Sequence, residues 1–132
     1  MQRRAFLGIG GSLLATAALG SWVISRSGEQ PLLLSARDDK YGRHYAVGYR
    51  LDGRQQFSTP VAQRCHDVVA HPGLPLALFV ARRPGTQSYL LDLRDGQLLQ
   101  TLDSPPDRHF YGHALFDQRG DWLYSTENDT SD

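Results

Sequence analysis

The side chains best suited to chemistry in this sequence are histidines, arginines and carboxylates that gather in a few short segments. Imidazole and carboxylate together suit a divalent or ferric ion, and the planar guanidinium fork suits a carboxylate or phosphate. The candidate ligand-binding residues are His66, Arg82, Arg83, Arg108, His109, His113, Glu127 and Asp129. No catalytic residue is assigned, because the sequence contains no nucleophile elbow, phosphate loop, Rossmann fingerprint or His-Glu-x-x-His motif.

The histidines have competing interpretations. They are structural side chains that hydrogen-bond neighbouring loops, or they bind a metal ion or another ligand. His109 and His113 are four residues apart, and in an extended strand such residues share a face about 13 Å apart. That separation is too long for one ion unless the chain bends at Gly112. The metal therefore stays unknown, and the sequence assigns no cofactor.

Charge and cysteine content exclude several classes of protein. The formal net charge is +0, and without Arg3 and Arg4 the rest of the chain has two more acidic than basic side chains. No basic patch follows a phosphate backbone, so we expect no nucleic-acid partner. Cys65 is the single cysteine, which rules out an intrachain disulfide and a multi-cysteine metal site. We expect a small buried residue there and not a reactive thiol, which would need a lowered pKa.

The N-terminus is typical of an export signal. Arg3 and Arg4 precede Phe6-Leu7 and an uncharged run rich in Gly and Ala, which indicates a twin-arginine signal. The alternative is a retained membrane anchor, because the uncharged run through Ile24 has about the twenty residues that a span needs. Either way we expect a periplasmic domain, with membrane contact only through an uncleaved N-terminal segment. The predicted divisions are a signal or anchor at 1–24, a linker at 25–31 and a folded domain at 32–132.

Beyond residue 30 the sequence predicts strands and turns. No stretch keeps an amphipathic helical period, and Gly, Pro and Asp-Gly signals recur about every eight to twelve residues, which is typical of an all-β fold. The predicted strands are 32–37, 44–51, 54–61, 65–70, 76–81, 88–93, 97–102, 109–116 and 122–126. The continuous apolar strand 76–81 predicts burial on both faces. Strand 54–61 is expected to be short, because Pro60 cannot donate a hydrogen bond from the middle of a sheet.

The strands form a repeat. His66 aligns with His113 and Gly73 with Gly120, both at an offset of 47 residues. Further matches at offsets of 43 to 45 residues are Ala36-Arg37 with Ala81-Arg82, Tyr45 with Tyr89, and Asp52-Gly53 with Asp95-Gly96. A period in this range with four short strands per unit is typical of a β-propeller blade, which needs neighbouring blades to bury its faces.

We therefore predict an all-β, β-propeller-like fold of four-stranded antiparallel blades, preceded by an N-terminal signal helix. The chain holds about two and a half blades, whereas propellers usually have about four to eight, so we expect it to be a fragment of a longer protein. Within such blades, Arg82, Arg83 and Arg108 either pair with carboxylates between blades or clamp an anionic ligand. The aromatic residues Phe110, Tyr111, Trp122 and Tyr124 are predicted to pack between blades.

Three segments resemble a known family. They are Cys65-His66-Asp67 with Arg82-Arg83-Pro84-Gly85, then Arg108-His109-Phe110-Tyr111-Gly112-His113, then Thr126-Glu127-Asn128-Asp129. Over residues 32–129 the chain resembles the N-terminal part of the bacterial proteins grouped under the uncharacterised domain DUF1513. The resemblance implies an exported propeller of the YVTN/WD40-like, quinoprotein-amine-dehydrogenase β-chain-like kind, with a link to iron acquisition. It carries over no catalytic residue.

The sequence leaves two hypotheses for function. The first is a non-catalytic periplasmic binding or scaffold protein that takes a partner protein or small ligand at the mouth of the propeller channel. The alternative is a metal- or quinone-dependent oxidoreductase-like propeller enzyme that uses the histidines and arginines at that mouth.

Overall fold

The computed structural model describes the backbone of residues 23–25 and residues 30–131 of the chain. These residues form ten strands in three antiparallel sheets, with no helix among them. The strands are β1 (Val23–Ser25), β2 (Leu32–Asp38), β3 (His44–Arg50), β4 (Gln55–Val61), β5 (Cys65–Ala70), β6 (Leu76–Ala81), β7 (Gln87–Asp92), β8 (Leu98–Asp103), β9 (Arg108–Phe116) and β10 (Leu123–Asp129). The predicted signal helix, with Arg3 and Arg4, lies outside the described residues.

Each complete sheet is a four-stranded meander. Strands β1–β4 form the first sheet and β5–β8 the second, each in sequence order, and β9 pairs with β10 in the third. The first strands of successive sheets lie side by side, since β5 contacts both β1 and β9. This arrangement is the radial stacking of propeller blades. The predicted all-β, propeller-like fold is confirmed, and we call the three sheets blade 1, blade 2 and blade 3.

Strand β1 is the element that the sequence did not predict. It pairs antiparallel with β2, so that Val23 lies opposite Leu34 and Ser25 opposite Leu32. It supplies blade 1 with the innermost strand that β5 supplies to blade 2. Its three residues fall across the predicted boundary between signal and linker, where apolar character was attributed to export and not to a sheet.

The prediction of a short strand around Pro60 is wrong. Strand β4 runs for seven residues, and Pro60 lies opposite Tyr45 in its register with β3. The strand tolerates proline because β4 is the outer edge of blade 1 and has a hydrogen-bonded neighbour on one side only. The predicted burial of β6 is confirmed, with its last five residues buried.

The hydrophobic core lies mainly between blade 1 and blade 2. Both blades contribute apolar side chains to one cluster of Leu32, Leu34, Ala46, Phe57, Cys65, Val68, Ala77, Phe79, Tyr89, Leu91 and Leu93. At the outer side, the Phe57 ring packs so closely on Gly96 that a Cβ at that glycine would lie about 2.5 Å from the Phe57 Cβ. The Thr59 hydroxyl donates to the Gly96 carbonyl oxygen at 2.6 Å. These contacts between blade 1 and blade 2 therefore fix the relative position of the two blades, and with it the relative position of their strand ends.

The prediction that four aromatic residues pack between blades is correct only for Phe110. Its side chain is 4% exposed, whereas Tyr111, Trp122 and Tyr124 are 50%, 67% and 56% exposed. One face of the β9–β10 sheet packs on blade 2, through contacts of β9 with β5 and β6. Within the described residues no sheet covers its other face, so alternate side chains there remain exposed.

The meander places the chemistry-bearing residues at one end of the blades. Strand β2 ends, β5 begins, β6 ends, β9 begins and β10 ends at this end, which we call the mouth. The residues at the mouth include Arg37, Asp38, Arg64, Cys65, His66, Asp67, Arg82, Arg83, Arg108, Glu127 and Asp129. The hairpin turns at 51–54, 71–75, 93–97 and 117–122 lie at the opposite end.

Candidate functional site

The mouth contains a small cavity between blade 1 and blade 2, with a volume of about 130 Å³. Its wall comes from the end of β2, the start of β5 and the first residue after β6. The polar lining residues are Arg37, Asp38, Arg64, His66, Asp67 and Arg82. Of the predicted site residues, the structure therefore brings His66 and Arg82 together in one cavity.

A β-bulge sets the position of His66. Cys65 pairs with Ala81 and Asp67 with Val80, so His66 is the extra residue between two consecutive partners in β6. A bulge leaves one residue outside the ladder and redirects its side chain. His66 is exposed, between the buried Cys65 and the half-buried Asp67.

His113 lies in an equivalent bulge of blade 3. The register of β9 and β10 shifts between the Ala114–Ser125 pair and the Phe110–Glu127 pair. Gly112 adopts a φ of +97° within this bulge. A Cβ on Gly112 would come within 2.9 Å of His66 Cδ2, so the glycine makes room for the His66 ring.

The two bulges bring the histidine rings of adjacent blades together. The ring centroids of His66 and His113 are 5.4 Å apart and the ring planes cross at 73°. Nδ1 of His113 lies 3.3 Å from Oδ2 of Asp67, the residue after His66. Asp67 Oδ1 accepts a hydrogen bond from the backbone N–H of Val68 at 2.8 Å. Asp67 thus links blade 2 to blade 3 beside the cavity.

A second carboxylate links blade 1 to blade 2. Asp38 Oδ2 lies 3.1 Å from Nε of Arg64, across the blade boundary, and Asp38 Oδ1 lies 2.7 Å from Nδ1 of His44. Arg37 donates through Nη2 to the Ser58 hydroxyl at 3.3 Å, and its guanidinium stacks 4.4 Å above the Tyr45 ring. These side chains are therefore held by protein partners.

Arg82 differs from the other two arginines of the cavity in its side-chain contacts. Its backbone N–H donates to the Arg64 carbonyl oxygen at 2.8 Å, which fixes the main chain at the cavity. Across residues 30–131, however, its guanidinium has neither a hydrogen bond nor an ion pair, and the His66 imidazole has no hydrogen bond. These two are the polar side chains of the cavity that have no hydrogen bond or ion pair within residues 30–131.

Arg82 also lines a larger, open cavity of about 580 Å³ beside the first. This second cavity is bounded by His44, the segment Ala62–Arg64 and the loop Arg82–Gly85. Arg83 lies in this loop with its guanidinium 5.8 Å from the centre of the Tyr111 ring in blade 3. Arg64 and Arg82 form the boundary that the two cavities share.

The remaining predicted site residues do not join the cavity. Arg108 lies 3.8 Å from a carboxylate oxygen of both Glu127 and Asp129, inside blade 3. This is the ion pairing expected of arginines, although it connects strands of one blade and not two blades. The Ser131 hydroxyl and backbone N–H both donate to Asp129 and lower its pKa, with a smaller contribution from Arg108. Nδ1 of His109 lies 3.1 Å from the Phe110 carbonyl oxygen.

Cys65 forms part of the cavity wall and is buried, as predicted. Burial, with a contribution from the Asp38 charge, raises the pKa of its thiol to about 12. A thiol with this pKa carries almost no thiolate at neutral pH, and the thiolate is the nucleophilic form. Cys65 is therefore a packing residue.

Sequence reasoning missed four residues of the cavity, namely Arg37, Asp38, Arg64 and Asp67. The repeat held a signal for Arg37, because Ala36-Arg37 aligns with Ala81-Arg82 and both arginines line the cavity. Asp67 follows His66 directly in sequence. Within residues 30–131, no three histidine, cysteine or acidic side chains converge as a metal site would require.

The described part of the chain contains no helix long and apolar enough to cross a membrane. No curated protein matches the chain. The family model described as a protein of unknown function (DUF1513) matches residues 59–132, from the end of β4 through blade 3. The match covers more than half of the sequence and includes the bulges of His66 and His113. The chain belongs to the DUF1513 family.

Proposed function

We propose that this chain is an exported, non-catalytic binding module that takes its ligand at the mouth. The observation that carries the proposal is the pair Arg82 and His66, which face a cavity between blades with no hydrogen-bonding partner among the described residues. Functional sites commonly combine a concave surface with a few convergent polar groups. Two such groups extend from strand ends whose backbone is fixed by blade packing.

The chemistry of the cavity favours binding over catalysis. Its thiol has a raised pKa, and its carboxylates Asp38 and Asp67 are each held by a basic partner. A general base needs access to the proton that it abstracts, and both carboxylates are already in contact with protein groups. The donors of the Arg82 guanidinium and the His66 imidazole remain, and we propose that both bind the ligand as hydrogen-bond donors.

Export is part of this proposal and rests on Arg3, Arg4 and the uncharged run that follows them. We propose the periplasm as the location and the twin-arginine route as the pathway. Replacing both arginines by lysine keeps the charge and removes the paired motif, so an epitope-tagged double variant is expected to remain in the cytoplasmic fraction. Equal amounts of wild type and variant in the periplasmic fraction would refute this route. The link to iron acquisition stays a prediction from the family resemblance.

Binding can be tested with a small-molecule extract of bacterial periplasm and the ¹⁵N-labelled chain. We expect the extract to shift the side-chain signals of Arg82 and His66, while mass spectrometry shows every extract component unchanged after prolonged incubation. Arg82→Gln is expected to lose the shifts, and the matched control Arg119→Gln, at the opposite end of the blades, is expected to keep them. Consumption of a component that depends on His66 or His113 would contradict a non-catalytic role and support the oxidoreductase-like alternative.

A further inference from the structure

We infer that the mouth cavity recognises a small oxyanion, a carboxylate or phosphate group, held between the Arg82 guanidinium and the His66 imidazole. The inference rests on the proposed function and names the chemical class of its ligand. Its basis is the imbalance between paired and unpaired charges around one cavity.

The charges in the cavity wall do not cancel. Three guanidinium groups, from Arg37, Arg64 and Arg82, line the cavity together with two carboxylates, from Asp38 and Asp67. Asp38 is shared between Arg64 and His44, at 3.1 and 2.7 Å. Asp67 is in contact with His113 at 3.3 Å. Both carboxylates thus have partners. Arg37 is held by the Ser58 hydroxyl and the Tyr45 ring, so Arg82 carries the one guanidinium of the cavity wall that has no partner among the described residues.

The unpaired groups match an oxyanion in the number and type of their hydrogen-bond donors. A guanidinium presents five N–H donors in a planar fork that complements two oxygens of a carboxylate or phosphate. Imidazole supplies a further donor from a different direction, because His66 projects from the bulge in β5 whereas Arg82 follows the end of β6. Donors from two strands enclose an oxyanion better than two adjacent side chains of one strand.

The size of the cavity limits the group that enters it. The cavity is small, with a volume of about 130 Å³, and a compact group such as a carboxylate or phosphate suits it. The cavity of about 580 Å³ that shares Arg64 and Arg82 can hold the rest of a larger organic anion.

Titration with simple anions tests the inference directly. Inorganic phosphate and acetate are added separately to the ¹⁵N-labelled chain at constant ionic strength, with sodium chloride as the reference. We expect saturable shifts of the Arg82 and His66 side chains for at least one oxyanion and none for chloride. Stronger binding of phosphate than of acetate, or the reverse, identifies which of the two acids the ligand carries.

Two variants and one control keep the test decisive. Arg82→Gln is expected to weaken oxyanion binding by about tenfold to a hundredfold, the range for loss of a charge-assisted hydrogen bond. His66→Gln is expected to weaken it by about tenfold or less, since the amide keeps a donor. Arg119→Gln, which removes an exposed arginine at the opposite end, is expected to leave affinity unchanged.

Two results would overturn the inference. One is that phosphate and acetate, like chloride, cause no saturable shifts of the Arg82 and His66 side chains in the wild-type chain. The other is equal affinity of wild type and Arg82→Gln. If neither oxyanion binds while a component of the periplasmic extract still shifts Arg82 and His66, the ligand class is wrong and the binding function stands. If the extract also causes no shifts of these side chains, the proposed binding function is wrong as well.

Discussion

His66 and His113 occupy equivalent β-bulges in the innermost strands of adjacent blades, and their ring centroids lie 5.4 Å apart, edge to face. The two histidines related by the repeat offset of 47 residues are thus structurally equivalent, and their rings are in direct contact. Gly112 permits the contact, because a side chain there would meet the His66 ring. The same contact positions Asp67 against His113 at the edge of the cavity.

The first prediction concerns Gly112. Replacing it by alanine places a Cβ at a φ of +97° and within 2.9 Å of His66 Cδ2. Gly53→Ala is the matched control, since Gly53 has a φ of +85° and nothing within 4 Å of its Cβ position. Both variants should lose about 1–2 kcal/mol of unfolding free energy from the left-handed backbone. Gly112→Ala should lose on the order of 1 kcal/mol more, because the His66 ring must shift.

Urea unfolding of the two variants measures this difference, and the His66 side-chain signals report the ring displacement. Equal losses of stability with unchanged His66 signals would mean that the ring does not pack on Gly112.

The second prediction concerns His71 at the end opposite to the mouth. Its Nδ1 accepts hydrogen bonds from the backbone N–H groups of Gly73 and Leu74, at 3.0 and 2.9 Å. Its Nε2 lies 3.2 Å from the Gly120 carbonyl oxygen in blade 3, and its ring packs on Phe116. His71→Ala should therefore lower the unfolding free energy by about 2 kcal/mol, the effect of losing two exposed hydrogen bonds, one partly buried hydrogen bond and the ring contact with Phe116.

His71→Asn is the informative comparison, because its side-chain oxygen can replace Nδ1 in the turn but cannot reach Gly120. Its loss of stability should be about half that of alanine in thermal or urea unfolding. An asparagine variant as unstable as the alanine variant would place most of the effect in the contact with blade 3.

The third prediction separates Arg108 from the cavity. Its two ion pairs, with Glu127 and Asp129, are long at 3.8 Å, and the Arg108 side chain is 48% exposed. Exposed ion pairs contribute little to stability, so Arg108→Gln should change the unfolding free energy by less than about 0.5 kcal/mol. Phosphate and acetate affinities should also be unchanged. A loss of oxyanion affinity as large as that of Arg82→Gln would extend the site to blade 3.

How far the sequence predicted the fold depends on the kind of signal. The absence of a helical period and the recurrent Gly, Pro and Asp-Gly turn signals located nine of the ten strands, and the 47-residue offset identified His66 and His113 as equivalents. Strand β1 was missed because its residues adjoin the segment that was predicted to be an export signal. The length of the strand that contains Pro60 was predicted wrongly because the sequence does not say which strand lies at the edge of a sheet. The burial of Trp122 and Tyr124 was predicted wrongly because alternation along a strand does not say which face of the sheet is covered.

The site was harder to predict than the fold, because pairing decides which charged side chains are available. Arg82, Arg83 and Arg108 are indistinguishable in sequence. Only the structure reveals that Arg108 contacts carboxylates of its own blade whereas Arg82 has no such partner among the described residues. The bulge at His66 is also not visible in the amino-acid sequence, because it depends on the register between β5 and β6.

The fourth prediction concerns Cys65, whose thiol has a pKa raised to about 12 by burial and by Asp38. In the unfolded chain the thiol ionises near the ordinary value of 9.0. Between these values the unfolded state binds fewer protons than the folded state, so stability falls as pH rises from about 9 to about 12. Iodoacetamide at pH 8 should modify the folded chain at least a hundredfold more slowly than the unfolded chain.

Cys65→Ala provides the control for the alkaline effect, because it removes this titration while tyrosines and arginines still titrate. The slope of unfolding free energy against pH should be smaller in the variant than in the wild type. Identical slopes, or rapid alkylation of the folded chain, would contradict the protected thiol.

Binding of the ligand at the mouth is tested by mapping backbone amide shifts while the ¹⁵N-labelled chain is titrated with phosphate and, separately, with acetate. For the oxyanion that binds, we expect the shifts to concentrate at Arg37–Asp38, Arg64–Val68 and Arg82, with weaker effects at Gly112–His113. Shifts concentrated in the turns at 51–54, 93–97 and 117–122, at the opposite end of the blades, would contradict it.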